Sequence, residues 1–260
     1  MLKNKLRTLK LRVFKPKKDK KPEGIGSIIV AVLVALALRT FVAEPFAIPS
    51  GSMIPSLLVG DYLFVTKYNY GYCRYSFLFG WPPFKGRVFP HQPKRGEVVV
   101  FMGGEGNETR YIKRLIGLPG DTVDIKKGVV YINGEPAPQK RIEDYVERTA
   151  SGRTKSMAQY LETLPGGVEH LMIREDPQGD RPEDNKGPFH VPEGHYFMMG
   201  DNRNHSGDSR YDSMGYIPFN NLVGPAKLIF FSVDSSIWDL LRVWDWPETF
   251  RYKRVFHWIN

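Results

Sequence analysis

The chain has a single cysteine, Cys73, among 260 residues, so no intrachain disulfide can brace it in any compartment. Histidine is scarce as well, and His91, His170, His190, His195, His205 and His257 are scattered without the spacing of a metal site. No metal ion or organic cofactor is expected. Internal repeats and low-complexity tracts are missing, and helical periodicity is absent beyond the N-terminal region. A basic field over the folded body is also missing. The formal charge is +9, but residues 1–21 hold ten Lys/Arg and one acid, leaving 27 basic and 27 acidic residues elsewhere. The excess is a tail on a neutral body, which argues against a nucleic-acid partner.

What is present begins with enough apolar material, 42% of residues with 13% aromatic, for a substantial core. Residues 25–38 form an uncharged, almost entirely aliphatic run. Continued through Arg39, Thr40, Phe41, Val42 and Ala43, it approaches the roughly 20 residues that span a bilayer, with Arg39 snorkelling to the interface. A cleaved secretory signal has the same hallmarks. The long tail and the lack of a convincing cleavage site favour a retained anchor over residues 25–45. The positive-inside rule then leaves residues 1–24 as a cytoplasmic tail and residues 46–260 outside.

Beyond the anchor the pattern is mainly β, in short runs punctuated by Gly, Pro, Asn and Asp. Strands are expected over residues 61–68, 96–102, 109–116, 122–126, 129–132, 196–199 and 226–233, with Asn133 and Gly134 marking a hairpin. Residues 135–192 turn polar, which suggests an inserted lobe or mobile loops.

Three separated stretches combine turn residues with reactive groups. In PSGSMIPSLLVGD, residues 49–61, a turn bounded by Pro and Gly carries Ser50 and Ser52 at its tip. Such hydroxyls either cap a helix or do chemistry. In YIKRLIGLPGD, residues 111–121, strand alternation puts Lys113 on one face with Tyr111 and Leu115. A lysine amine ordinarily titrates near ~10.4 and is useless as a base at neutrality, but desolvation lowers it. It could then take a proton from a serine hydroxyl; the alternative is a snorkelling strand lysine. The third stretch is GDNRNHSGDSR, residues 200–210.

Together with RGEVVVF, residues 95–101, these stretches resemble in order the signature boxes of bacterial type I signal peptidases. The resemblance implies an antiparallel β catalytic domain, with an inserted smaller lobe, behind a transmembrane helix. It implies Ser52 as nucleophile, Lys113 as general base, and Ser50 with the Ser52 N–H as oxyanion donors. Ser206 would hydrogen-bond and orient the lysine amine, Met53 would help bury the dyad, and Asp208 and Arg210 would form a supporting ion pair. Ser56 and Glu97 stand where the family usually has Thr and Asp, and Asn204 and His205 replace the more usual Asp-Asn. His205 invites a Ser-His-Asp reading, but nothing in the three stretches brings it to Ser52.

The function implied is removal of signal peptides from exported preproteins after small residues at −1 and −3. The enzyme would be single-pass in the bacterial cytoplasmic membrane, near the protein-export channel, with its catalytic domain outside. The rivals are an autocleaving Ser-Lys repressor, for which no DNA-binding domain is evident, and an anchored binding protein without activity. Two aromatic stretches, residues 68–84 and 237–259, fall outside the resemblance. Either they pack on the core or, with Phe77, Leu78, Phe79, Trp81 and Phe84 foremost, they face the phospholipid membrane.

Overall fold

The computed structural model describes residues 24–77, 80–81, 83–103, 109–148, 154–234 and 249–259. The chain forms two compact units, residues 1–36 and residues 37–260. Helix α1, Gly24–Phe41, is aliphatic on every side, with exposed side chains along nearly its whole length. At ~1.5 Å per residue its 18 residues extend roughly 27 Å, close to the ~30 Å of a hydrocarbon core. The helix stops four residues short of the expected end of the anchor. Pro45 lacks the N–H a helix would use, and Ala43–Ala47 instead form strand β1.

The strands that follow are β2 Asp61–Thr66, β3 Val98–Met102, β4 Arg110–Gly117, β5 Thr122–Lys126, β6 Val129–Ile132, β7 Glu135–Pro136, β8 Gln139–Arg141 and β9 Tyr145–Arg148. The remainder are β10 Thr154–Leu164, β11 Val168–Arg174, β12 Lys186–His190, β13 His195–Met199, β14 Ile217–Pro218, β15 Leu222–Ser232 and β16 His257–Trp258. Among the described residues these strands pair antiparallel, and one isolated parallel bridge joins Ile173 of β11 to Asn202. One sheet runs β1-β2-β15-β3-β4-β13-β14, with β16 on β15. A second joins β11, β10 and β8, with β9 also on β10, and a third runs β12-β5-β6-β7.

Alternation explains much of this. In β5 and β6, Val123, Ile125, Val130 and Ile132 face a core that includes Ile116 and Phe197. Between β6 and β7, Asn133 and Gly134 take positive φ of 55° and 87°, as a two-residue hairpin turn requires. The central strands β3 and β4 are buried throughout from Val98 to Met102 and from Ile112 to Gly117, with Lys113 and Arg114 the charged residues within those runs. The polar stretch over residues 135–192 is not a set of loops: β10 and β11 pair from Ala158↔Arg174 to Leu164↔Val168 as a long hairpin. It belongs to the same compact unit as the rest of residues 37–260.

Candidate active site

Ser52 lies in a single 3₁₀ turn, Gly51–Met53, directly after Pro49 and Ser50. Met53 and Leu57 are fully buried beside it in the cluster that also holds Leu63, Val98 and Ile112, so this apolar packing anchors the turn. The Ser52 N–H belongs to the first turn, where an amide has no acceptor within the turn itself. Lys113 occupies the middle of β4, opposite Val99 of β3. Its Nζ donates to Ser52 Oγ at 2.6 Å, and the residue is only 3% exposed. Burial pushes the amine down to about 8, with Arg210 adding to the fall and the Asp208 and Asp201 charges partly opposing it.

The other expected residues gather around this pair. Ser50 Oγ is 3.4 Å from Ser52 Oγ, on an exposed residue at the mouth of the site. Asp208 and Arg210 form a buried two-point ion pair, with Oδ1 2.8 Å from Nε and Oδ2 2.9 Å from Nη2. Burial alone would raise the Asp208 carboxyl, but Arg210 and the Gly200 N–H hold it below its ordinary value. Ser206 is buried next to these groups, but the bond expected from it to Lys113 is not formed. Its Oγ makes no hydrogen bond of good geometry, though it lies close enough to Asp208 to favour that carboxylate's charge. His205 turns away: its Nε2 lies 2.5 Å from Glu175 Oε1 on a half-exposed side chain, and it makes no bond to Ser52.

Residues not assigned from the sequence hold the three stretches together. Asn202 clamps the turn that carries Ser52, its N–H donating to Ser52 O and its Nδ2 to Gly51 O, each at 3.1 Å. Gly200 is there because nothing larger fits: a Cβ would lie 2.3 Å from Ser206 Oγ and 2.5 Å from Ser52 O. Arg114, next to the lysine, is 1% exposed and grips Asp201 through Nε at 2.9 Å and Nη2 at 2.8 Å, while its Nη1 donates to Gly96 O. Burial would raise Asp201, and Arg114 holds it low instead. Below them Arg203 pairs with buried Glu162 of β10, and His170 Nε2 is 3.3 Å from the same carboxylate. The backbone of β11 joins in, since Ile173 N–H donates to Asp201 O and Ile173 O accepts from Arg203 N–H. The alternating acid and base of Asp201 and Arg203 in the third stretch were the available signal. Their partners Arg114 and Glu162 lie too far away in sequence to be matched to them.

An open groove of ≈ 290 Å³ runs past Ser50 and Ser52, walled by Ile54, Met157 and Asn202 with Glu147, Lys155 and His205 at its side. Among the described residues no three His, Cys, Asp or Glu side chains converge as a metal site would need. The arrangement suits acyl transfer: a hydroxyl, a desolvated amine and donors beside an open groove.

The family model described as signal peptidase, peptidase S26, matches residues 23–231. The signal peptidase I of Rickettsia typhi is 39% identical over 249 residues, covering 90% of this chain and 92% of its own length. That of Rickettsia massiliae is 39% identical over 246 residues, covering 89% and 90%. A solved structure of a signal peptidase I from Enterococcus faecalis V583 aligns at 28% identity with a TM-score of 0.30, covering 52% of this chain and 97% of that one. With the family model spanning most of the chain, and relatives similar over nearly their whole length, the chain belongs to the signal peptidase family, peptidase S26.

Proposed function

We propose that the protein is a membrane-anchored serine endopeptidase that removes signal peptides from exported preproteins, with Ser52 as nucleophile and Lys113 as general base. The observation that carries this reading is the 2.6 Å contact between Lys113 Nζ and Ser52 Oγ on a lysine whose burial brings it down to about 8. Roughly a tenth of such amines are neutral at pH 7, against a vanishing fraction of free lysine. The neutral amine takes the Ser52 proton as Oγ bonds to the carbonyl carbon of the scissile peptide. The oxyanion that forms is met by the Ser50 hydroxyl and the Ser52 N–H. As the tetrahedral intermediate collapses, the C–N bond breaks and the Lys113 ammonium returns its proton to the departing amine. Lys113 then takes a proton from a water that attacks the Ser52 ester, and the ester oxygen recovers a proton as the signal peptide leaves.

In this reading Met53 keeps water from the amine, and the Asp208–Arg210 pair fixes the loop that carries Ser206. Ser206 contributes a buried hydroxyl beside the dyad. Shallow apolar walls, with Ile54 and Met157 among them, would admit only small residues at −1 and −3. Helix α1 would anchor the enzyme in the cytoplasmic membrane with its basic tail inside and residues 46–260 outside, near the export channel. Membrane contact by the aromatic stretch is supported by Trp81, 74% exposed, and by the edge-to-face chain of Phe41, Phe77 and Phe84. Leu78 and Phe79 lie outside the described residues, as does most of the C-terminal stretch, where Phe256 and Trp258 are exposed.

Purified protein should cleave a peptide containing Ala-x-Ala, and Ser52→Ala and Lys113→Met should each abolish turnover while thermal unfolding stays cooperative. Near-normal cleavage by either variant would refute the dyad.

A further inference from the structure

Away from the dyad lies a cavity of ≈ 420 Å³ that shares no residue with the catalytic groove. Arg74, Tyr75, Phe84, Lys85, Asn220 and Asn221 contribute to its wall, which carries two cations and no carboxylate. Both cations are exposed, and among the described residues neither enters an ion pair. The Arg74 guanidinium is steadied over the Tyr75 ring, 4.8 Å from its centroid. Asn221 is pinned by its Nδ2 bond to Gly103 O at 2.7 Å, so that side of the wall is held in place. This cavity plays no part in the acyl-transfer chemistry.

Its position is telling. Phe84 of the wall meets Phe77 at 5.8 Å between ring centroids, and Phe77 meets Phe41 at 6.1 Å. Phe41 is the last residue of α1, so two ring contacts connect the end of the apolar helix to the cavity wall. Exposed Trp81 stands in the same segment. Aromatic side chains gather at the headgroup level of a bilayer, where lysine and arginine find phosphate as their natural counter-ion. An arginine fork and a lysine point charge at one mouth can share the oxygens of a single phosphodiester.

We infer that this cavity holds the phosphate headgroup of an anionic phospholipid in the leaflet where α1 ends. The lipid's acyl chains lie along the side where Phe84 meets Phe77. The inference rests on the anchor reading of α1 given above. A lipid is favoured over a free anion because a soluble phosphate would gain nothing from the ring contacts that link the wall to the end of the apolar helix.

The full chain, purified in detergent, is mixed with phosphatidylglycerol or phosphatidylcholine of the same acyl chains, and retained lipid is counted by native mass spectrometry. The wild type should retain phosphatidylglycerol preferentially. Arg74→Gln/Lys85→Gln should lower that retention by roughly thirtyfold, as expected for two basic contacts at a lipid surface. The control Lys127→Gln/Lys140→Gln removes equal charge from exposed lysines of the folded body that do not line the cavity and should cost far less. Equal losses in the two double variants would reduce the effect to bulk charge and overturn the site. So would unchanged retention in the first variant, or displacement of the lipid by millimolar inorganic phosphate. Peptide cleavage in detergent should be the same in all three proteins, which certifies their folding. If the wild type cleaves no peptide, the peptidase reading fails while lipid retention, with thermal unfolding as the folding check, still decides the site.

Discussion

At the scale of the residue, Lys113 is held between opposing influences. Burial and Arg210 push its amine down, and Asp208 and Asp201 pull it back up. Because the base must be neutral, kcat/KM should rise with pH through a limb near 8. Asp208→Asn removes a negative charge that favours the ammonium and should move that limb to lower pH. Arg210→Gln removes a repelling positive charge and should move it higher. Profiles that shift in the same direction for both variants would contradict this electrostatic account. Ser50→Ala should lower kcat by roughly 10² to 10³ if its hydroxyl meets the oxyanion, with KM for a short peptide little changed. Gly200→Ala tests packing rather than charge: its methyl would press on Ser206 Oγ and on Ser52 O, so activity should collapse further than thermal stability does.

At the scale of the element, the sequence was most legible where one face of a strand is apolar. The expected strands at residues 122–126 and 129–132 coincide with β5 and β6, and the Asn133–Gly134 turn follows from backbone conformation alone. The strand carrying Lys113 and the turn carrying Ser52 were also legible, because reactive groups in apolar settings stand out. The β10–β11 hairpin was not. Glu162, His170 and Arg174 point inward on it, and their partners, such as Arg203 and Gln139, come from distant parts of the chain. An inward-facing pattern built of charges reads as solvent-exposed in a single sequence. Strand β1 was hidden for the opposite reason, since its apolar start merges with the helix before it.

The hidden pairing yields a prediction. Glu162→Gln leaves Arg203 buried without its counter-charge and should cost about 3–5 kcal/mol in urea unfolding. Replacing both, as Glu162→Leu/Arg203→Met, should recover most of that loss. Acid acts in the same direction. Burial would raise the Glu162 and Asp201 carboxyls, but Arg203 and His170 hold the first below its ordinary value and Arg114 the second. Their contribution is therefore complete above the ordinary carboxylate range, near ~4, and fades as pH falls through the lower folded values. Pepsin susceptibility of the hairpin should rise in that acid window, and at higher pH in Arg114→Met.

At the scale of the whole molecule, the proposed orientation, with the basic tail inside and the body outside, can be tested directly. Protease added outside spheroplasts should digest residues 46–260 while an epitope in residues 1–21 survives. Protection of both would contradict this orientation. The clamp by Asn202 has a further consequence, which concerns time rather than geometry. The Lys113–Ser52 bond closes a separation of 61 residues and the Asn202–Gly51 bond one of 151. Contacts of such long range form late, after the loops between them have closed. On the proposed reading, an enzyme of this design would have no working centre while its own chain is still being threaded through the membrane. Its newly exported segments would pass as inert polypeptide, and proteolysis would begin only once residue 202 had arrived and docked.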